Sequence, residues 1–241
     1  MHSNHLQGEL LYTGKTKQVF SYDNPELIVI HYKDDALAYN GIKRAQITNK
    51  GVINNKISAN IYQRLEALGF NTHFVKMLND REQLCKRKVH LIQIEFIVRN
   101  IAAGSMAKRL GLKIGTQLKT PVYELCYKND ELGDPIINAH HAVALGLSTY
   151  EELDEVHEIV KRLNKELINI FNGIGVTLVD AKFEFGRTAD GTLVLSDEIS
   201  PDTTRLWDTA TLESLDRDRF RKDLGKISEA YTEIFNRLTD N

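Results

Sequence analysis

Cysteine is nearly missing from this chain: Cys85 and Cys126 are the only two, and they share no metal-binding or redox spacing. That excludes a disulfide scaffold and fits a reducing compartment. A dominant charge is missing too. Thirty-one Lys and Arg against 33 Asp and Glu leave a formal charge of −2, so bulk electrostatics give no case for nucleic acid or an anionic membrane as partner. The one dense basic run, Lys86-Arg87-Lys88, reads as the exit of a strand or loop rather than a nucleic-acid patch. No apolar run approaches a membrane span, and Met1-His2-Ser3-Asn4-His5 lacks the apolar stretch of a secretory signal. A cytoplasmic location is the expectation. Internal repeats and low-complexity linkers are absent as well. What is present is an ordinary globular mixture, 42% hydrophobic and 27% charged over 241 residues. That is enough chain for one large domain or two lobes around a cleft.

The periodicities predict an α+β fold. Lys17 to Tyr22 and Leu27 to Tyr32 read as strands around the turn cluster Asp23-Asn24-Pro25-Glu26. A helix is predicted from Asn54 to Leu68, striped by Ile57, Ile61, Leu65 and Leu68 and stopped by Gly69. Phe74 to Leu78 and Gln83 to Arg87 complete a β-rich lobe over residues 1–88. Val89 to Val98 reads as one long strand leading into a larger mixed lobe, residues 89–241. There, Gly104 to Leu110 reads as a short helix and Glu151 to Phe171 as a strong amphipathic one. Asp216 to Leu238 reads as another, weakened at Gly225.

The most informative stretch is Leu178-Val179-Asp180-Ala181-Lys182-Phe183-Glu184-Phe185-Gly186, answered by Val194-Leu195-Ser196-Asp197-Glu198. Strand alternation aims Asp180, Lys182 and Glu184 one way and Val179, Ala181, Phe183 and Phe185 the other, into a core. A short return through Gly186 to Gly191 brings Asp197 and Glu198 beside the polar row. Several carboxylates with one lysine suit a hard divalent cation, and Mg²⁺ takes one or two carboxylates together with substrate phosphates.

Three further segments carry chemistry. Gly14-Lys15-Thr16-Lys17 is no Walker A loop: five residues, not four, separate Gly8 from Gly14, and a strand rather than a helix follows. A solvated turn and a lid over polyphosphate both remain open for it. Arg99, at the end of an apolar strand and followed by Gly104-Ser105 opening a helix, can fork onto a phosphate monoester; a surface arginine and an N-cap serine are the plainer alternative. Asp197 to Arg205 packs acids and an arginine around Pro201 in a loop placed to supply metal and anion ligands. His140-His141 reads as two rings on an extended segment facing opposite ways, hence no metal pair.

These motifs, in this order from about Leu11 to Leu238, resemble the SAICAR synthetase family, the phosphoribosylaminoimidazole-succinocarboxamide synthases. The resemblance also rests on Ile94 to Asn100, on Tyr127-Lys128-Asn129-Asp130 with Asp134-Pro135, and on Arg205-Leu206-Trp207-Asp208. It implies a two-lobed kinase-like or ATP-grasp-like frame and an ATP- and Mg²⁺-dependent ligase. Such an enzyme joins 5-aminoimidazole-4-carboxylate ribotide to L-aspartate, with ADP and phosphate released, in purine biosynthesis. It further implies Lys15, Thr16 and Lys17 at the ATP phosphates, Leu91 at adenine, and Glu184 and Asp197 at Mg²⁺. Arg99, Ser105 and Arg205 would meet the ribotide phosphate, Lys128 and Asp134 the substrate cleft, and Asp180 and Lys182 the reacting carboxylate. A homodimer is the family's assembly. Three positions depart from the family pattern: Gln93 stands where proline is usual, Asn40 where many members have aspartate, and Ala181 where phenylalanine is usual.

Overall fold

The computed structural model describes residues 8–38 and 42–240, so Asn40 lies outside the described residues. The chain opens with three antiparallel strands, β1 (Leu10–Thr13), β2 (Lys17–Ser21) and β3 (Leu27–Tyr32). The β2–β3 turn forms because the Asn24 side chain accepts from the backbone N–H of Glu26 at 2.9 Å, an Asx turn that Pro25 pre-sets. A two-stranded ribbon, β4 (Asp35–Ala38) and β5 (Lys43–Gln46), leads to helix α1 (Lys50–Ala67). Strands β6 (Phe74–Asn79) and β7 (Glu82–Lys86) then close a five-stranded sheet in the order β1-β2-β3-β7-β6.

Helix α1 buries Ile57, Ile61 and Leu65 completely, as their spacing requires, and ends at Gly69 with φ 81°. It starts four residues earlier than the apolar stripe indicates. The added turn holds Gly51, where a Cβ would come within 2.5 Å of the Tyr32 carbonyl oxygen. A glycine demanded by close approach looks, in sequence, like a helix breaker.

The second sheet is built on one strand, β12 (Val176–Arg187). Before it come β8 (His90–Leu91), β9 (Ile94–Ile101), α2 (Gly104–Leu110), β10 (Gln117–Tyr127), a 3-10 turn at Asp130–Leu132, β11 (Ile136–Ile137), α3 (Ala139–Ala144) and α4 (Tyr150–Gly173). The sheet order is β11-β10-β9-β12-β13, where β13 is Leu193–Ser196; β8 and β14 (Thr204–Asp208) also pair with β12. One end of β12 thus lies between β9 and β14 and the other between β8 and β13, and the sheet curls. The single strand expected over residues 89–98 is two, interrupted at Ile92-Gln93. There the Gln93 carbonyl accepts from Lys128 N at 3.0 Å instead of continuing the ladder.

Alternation along β12 is also broken once. Between Leu178 and Asp180 its pairing with β14 slips by one residue, a β-bulge. Ala181, Phe183 and Phe185 face the main core with Leu178, whereas Val179 is buried in a separate cluster with Ile101 and Ala103, against Trp207. Val179 therefore does not share the face of Ala181 as strict alternation would have it.

Helix α4 packs its stripe of Val156, Val160, Leu163, Leu167 and Phe171 onto β12, and Thr149 caps it by accepting from Glu152 N at 3.2 Å. His140 and His141 sit on α3 rather than on extended chain. His140 meets the Tyr150 hydroxyl at 2.7 Å, and His141 completes a capping box with Asn138. The carboxy-terminal segment is two helices, α5 (Asp218–Arg221) and α6 (Ile227–Thr239), rather than one. Asp223, Gly225 and Lys226 take φ of 56°, 67° and 50° between them, which no continuous helix permits. Leu224, expected on the apolar stripe, is half exposed, while Tyr231, Ile234 and Leu238 are buried in the same core as α1. Each such side chain contributes about 1.5–3 kcal/mol by leaving water. Among the described residues, no helix is long and apolar enough to cross a membrane.

Candidate active site

A cleft of about 770 Å³ opens between the first sheet and the curled one. Its roof is the β1–β2 hairpin. The turn closes through Gly14 N donating to the Lys17 carbonyl at 2.8 Å, and Lys33 Nζ holds the Gly14 carbonyl at 3.3 Å. Lys15, Thr16 and Lys17 all line the cleft, and β2 follows them directly, so the segment is a hairpin lid and not a strand-to-helix phosphate loop. Its apolar lining includes Val19, Ile28, Ile30, Leu91, Ile92 and Phe185.

The floor is acidic and carries its own cations. Lys182 Nζ lies 2.8 Å from Glu95, 2.9 Å from Glu184 and 3.5 Å from Asp197. Lys17 reaches down from the roof to Asp197 and, at 2.8 Å, to Glu198; Lys128 pairs with Glu184. β12 sets Lys182 and Glu184 on one face, and β13 delivers Asp197 one residue past its end, where the backbone turns through φ 67°. Burial alone would raise the Asp197 pKa. Lys17, then Lys182 and Lys128, overcome it and hold this carboxyl well below the usual carboxylate range. Burial opposes ionisation of Glu184 as well, and Lys182 is the main group that lowers its pKa. The two lysines respond in kind. Burial disfavours their charge, but Asp197 and Glu198 raise Lys17, and Glu184, Asp197 and Glu95 raise Lys182. The row is an ionised lattice at neutral pH.

The remaining anticipated residues fall into two places. Lys128 and Asp134 line the cleft mouth, where Asp134 accepts from Asn129 N at 3.0 Å; Lys15 meets Asp130 at 2.6 Å, both side chains exposed. Arg99, Asp180, Ser105 and Arg205 form a second cluster beside the cleft. Asp180 is gripped by Arg99 at 3.0 Å and Arg205 at 2.6 Å, and Arg99 donates to Ser105 Oγ at 3.3 Å and to Glu124 at 2.9 Å. The N-cap of α2 is Ala103, so Ser105 is free of that duty and stands exposed in the first turn. Gly104 has φ 53°, and a Cβ there would lie 2.4 Å from the Arg205 guanidinium, so only glycine admits that side chain. Arg205 also meets Asp218 at 3.2 Å, and Asp218 in turn holds Arg221, which lines the cleft. The two clusters are therefore joined through α5.

Sequence reading missed Glu95, Lys88, Arg217 and Arg221, all on the cleft wall. Glu95 was findable: it alternates with buried Ile94 and Phe96 on β9 and must face away from the core. The arginines were hidden by reading α5 and α6 as one helix.

A hard metal fits these residues. Among the described residues no group of three or more His, Cys, Asp and Glu has metal-binding geometry, which argues against an all-protein cage. Two ionised carboxylates facing a cleft with phosphate-sized room and flanking lysines match a cation completed by substrate oxygens.

The sequence model of the SAICAR synthetase family matches residues 10–238. A Fusobacterium nucleatum protein named phosphoribosylaminoimidazole-succinocarboxamide synthase is 56% identical over 234 residues, 97% of this chain and 98% of the relative. A Clostridium botulinum protein of the same name is 57% identical over 231 residues, covering 96% and 98%. Among solved structures, the Ehrlichia chaffeensis phosphoribosylaminoimidazole-succinocarboxamide synthase superposes with a TM-score of 0.93 at 41% identity, covering 96% of this chain and 98% of that one. A type-2 SAICAR synthetase solved in complex with ADP gives 0.93 at 41% identity, covering 97% and 98%.

Proposed function

The chain belongs to the SAICAR synthetase family, and from that premise we propose that it is the ATP- and Mg²⁺-dependent ligase of the aspartate-condensing step of purine biosynthesis. Its substrates are 5-aminoimidazole-4-carboxylate ribotide, L-aspartate and ATP; its products are the succinocarboxamide ribotide, ADP and phosphate. The ADP bound by a relative of the same fold supports nucleotide use. The observation that carries the reading is the Lys182 ammonium held among Glu95, Glu184 and Asp197 beneath the Lys15–Lys17 hairpin.

In this reading the cleft lies between a lobe of residues 1–88 and a catalytic lobe of residues 89–241. Leu91 borders the adenine, and Lys15, Thr16 and Lys17 cover the phosphates. Glu184 and Asp197 would hold Mg²⁺, which when bound offsets the negative charge of the phosphoryl group in transfer. Arg99, Ser105 and Arg205 bind the ribotide phosphate, while Lys128 and Asp134 border its cleft. A carboxylate is a poor acyl donor because its leaving group is an oxide. Transfer of the γ-phosphoryl group onto a carboxylate oxygen releases ADP and makes that oxygen part of a leaving phosphate. The amine of aspartate then attacks the carbonyl carbon, loses a proton, and phosphate departs. Lys182 would act at this carboxylate as a fixed positive charge; Asp180, expected beside it, is gripped by Arg99 and Arg205 and so fixes the arginines assigned to the ribotide phosphate. Most of the acceleration comes from alignment, which contributes on the order of 7–11 kcal/mol in well-oriented systems.

The enzyme works in the cytoplasm as a homodimer on this reading, and sedimentation equilibrium reads its mass directly. The deciding assay is ADP release. It should require aspartate and the carboxylated ribotide together; release with neither, or with other amine and acid pairs equally well, would replace this reading with a different carboxylate–amine ligase.

A further inference from the structure

Asn164 is the one buried polar side chain on α4, 3% exposed among Val160, Leu163 and Leu167. Leucine, of nearly the same size, would serve packing alone, without an amide to desolvate. The amide instead closes a two-way pair with β9. Asn164 Nδ2 donates to Asn100 Oδ1 at 2.9 Å, and Asn100 Nδ2 donates to Asn164 Oδ1 at 3.0 Å and to the Leu178 carbonyl at 3.3 Å. Asn100 lies where β9 loses its ladder on both sides. On β12 the pairing stops with Asp180 opposite Arg99; on β10 it jumps from Val122 opposite Arg99 to Gln117 opposite Ile101. Asn100 has no paired residue on either neighbour, and its side chain reaches Leu178 in place of the ladder.

Leu178 is where the bulge in β12 begins. Without that bulge the two arginines would part. Leu178 stands opposite Leu206 on antiparallel β14, so unbroken pairing would set Val179 against Arg205 and Asp180 against Thr204. Arg205 would then share a face with Val179 and point away from Asp180. The extra residue returns Arg205 to Asp180, which also stands opposite Arg99 on β9. Both guanidinium groups thereby meet one carboxylate, Arg99 at 3.0 Å and Arg205 at 2.6 Å. Resting on the ribotide reading above, we propose that Asn100 and Asn164 are positioning residues for phosphate recognition: their amide pair ties the β12 bulge to α4 and so keeps Arg99 and Arg205 on one face. Each acts through the backbone of β12 rather than by touching the ligand.

Two variants test this by steady-state ADP release. Asn164→Leu keeps the volume and removes the pair; Asn100→Ala, at a half-buried position, removes it from the other side. Each should raise KM for the carboxylated ribotide about tenfold, the worth of a misaligned charged hydrogen bond, with KM for ATP unchanged. Thermal unfolding establishes that each variant compared is folded. A double-mutant cycle separates positioning from general loosening: on an Arg205→Met background, Asn164→Leu should lose most of its effect on kcat/KM for the ribotide, because the arginine it places is gone. An unchanged ribotide KM in either folded variant, equal rises for ribotide and ATP, or full additivity with Arg205→Met overturns the assignment. Failure of both variants to fold makes the pair a purely structural one and overturns it too. A wild-type protein that releases no ADP with ribotide and aspartate overturns the functional reading itself, an outcome visible before any variant is made.

Discussion

Replacing Asp197 with asparagine separates the fold from the chemistry. The substitution removes one negative charge and almost no volume. Lys17 retains Glu198 at 2.8 Å, and Lys182 retains Glu95 at 2.8 Å and Glu184 at 2.9 Å. Neither ammonium is stranded, so the roughly 3–5 kcal/mol of an orphaned buried charge is not incurred. Asparagine can still accept from Lys17, so what is lost is the difference between a charged and a neutral hydrogen bond, about 1 kcal/mol. The backbone adds nothing, because φ is 67° and asparagine is among the residues that tolerate that region. For a chain of 241 residues the unfolding midpoint should fall by only about 2–4 °C. Turnover should fall by at least about 10²-fold, since one of the two carboxylates proposed to hold Mg²⁺ is lost, and with it part of the charge that offsets the phosphoryl group in transfer. Thermal unfolding and ADP release across a Mg²⁺ titration measure the two effects side by side. A folded variant with near wild-type turnover at saturating Mg²⁺ refutes the role given to this carboxylate.

Other expectations follow the same physics. Asp216 is fully buried, accepts from Leu206 N at 2.8 Å and Asp218 N at 2.6 Å, and is raised to about 6 by burial and then by the neighbouring Asp218. Its stabilising contribution is therefore complete below the unfolded value near 4 and lost as pH rises through about 6. Relative to Asp216→Asn, wild-type unfolding free energy should drop by about 3 kcal/mol across that window in denaturant titrations, and a flat difference would contradict the burial argument. Arg99→Ala should weaken ribotide binding by about 1.5–3 kcal/mol in calorimetry, with nucleotide affinity little changed. Gly104→Ala, forced into positive φ against the Arg205 guanidinium, should destabilise by about 1–3 kcal/mol in thermal unfolding and reduce ribotide affinity; an unperturbed midpoint would mean the arginine has room to move.

The polar row of β12 was legible because period-two alternation is local: Lys182 and Glu184 needed only their neighbours to be aimed at the cleft. The same rule failed at Val179, since a bulge is set by the partner strand and leaves no mark on the bulged residue. Helix α1 was readable at its apolar end and not at Lys50 and Gly51, whose burial depends on Tyr32 and Asp202 far along the chain. The break between α5 and α6 was announced only by Gly225; Asp223 and Lys226, both exposed, also take positive φ, which their identities do not signal. Charged groups such as Lys88 and Arg217 could not be assigned from sequence at all. Nothing near them specifies which ammonium finds a carboxylate and which is left facing the cavity.

One strand carries both Asp180, clasped by two arginines, and Glu184, at the end proposed to bind the cation. Four residue steps of extended chain separate them, roughly 13 Å at strand rise. Neighbouring strands on both edges clamp that length, so it works as a ruler whose gradations do not slide. On the proposed function, substitutions in the hairpin roof should change the rate of cycling without altering that spacing, because the roof belongs to the other sheet.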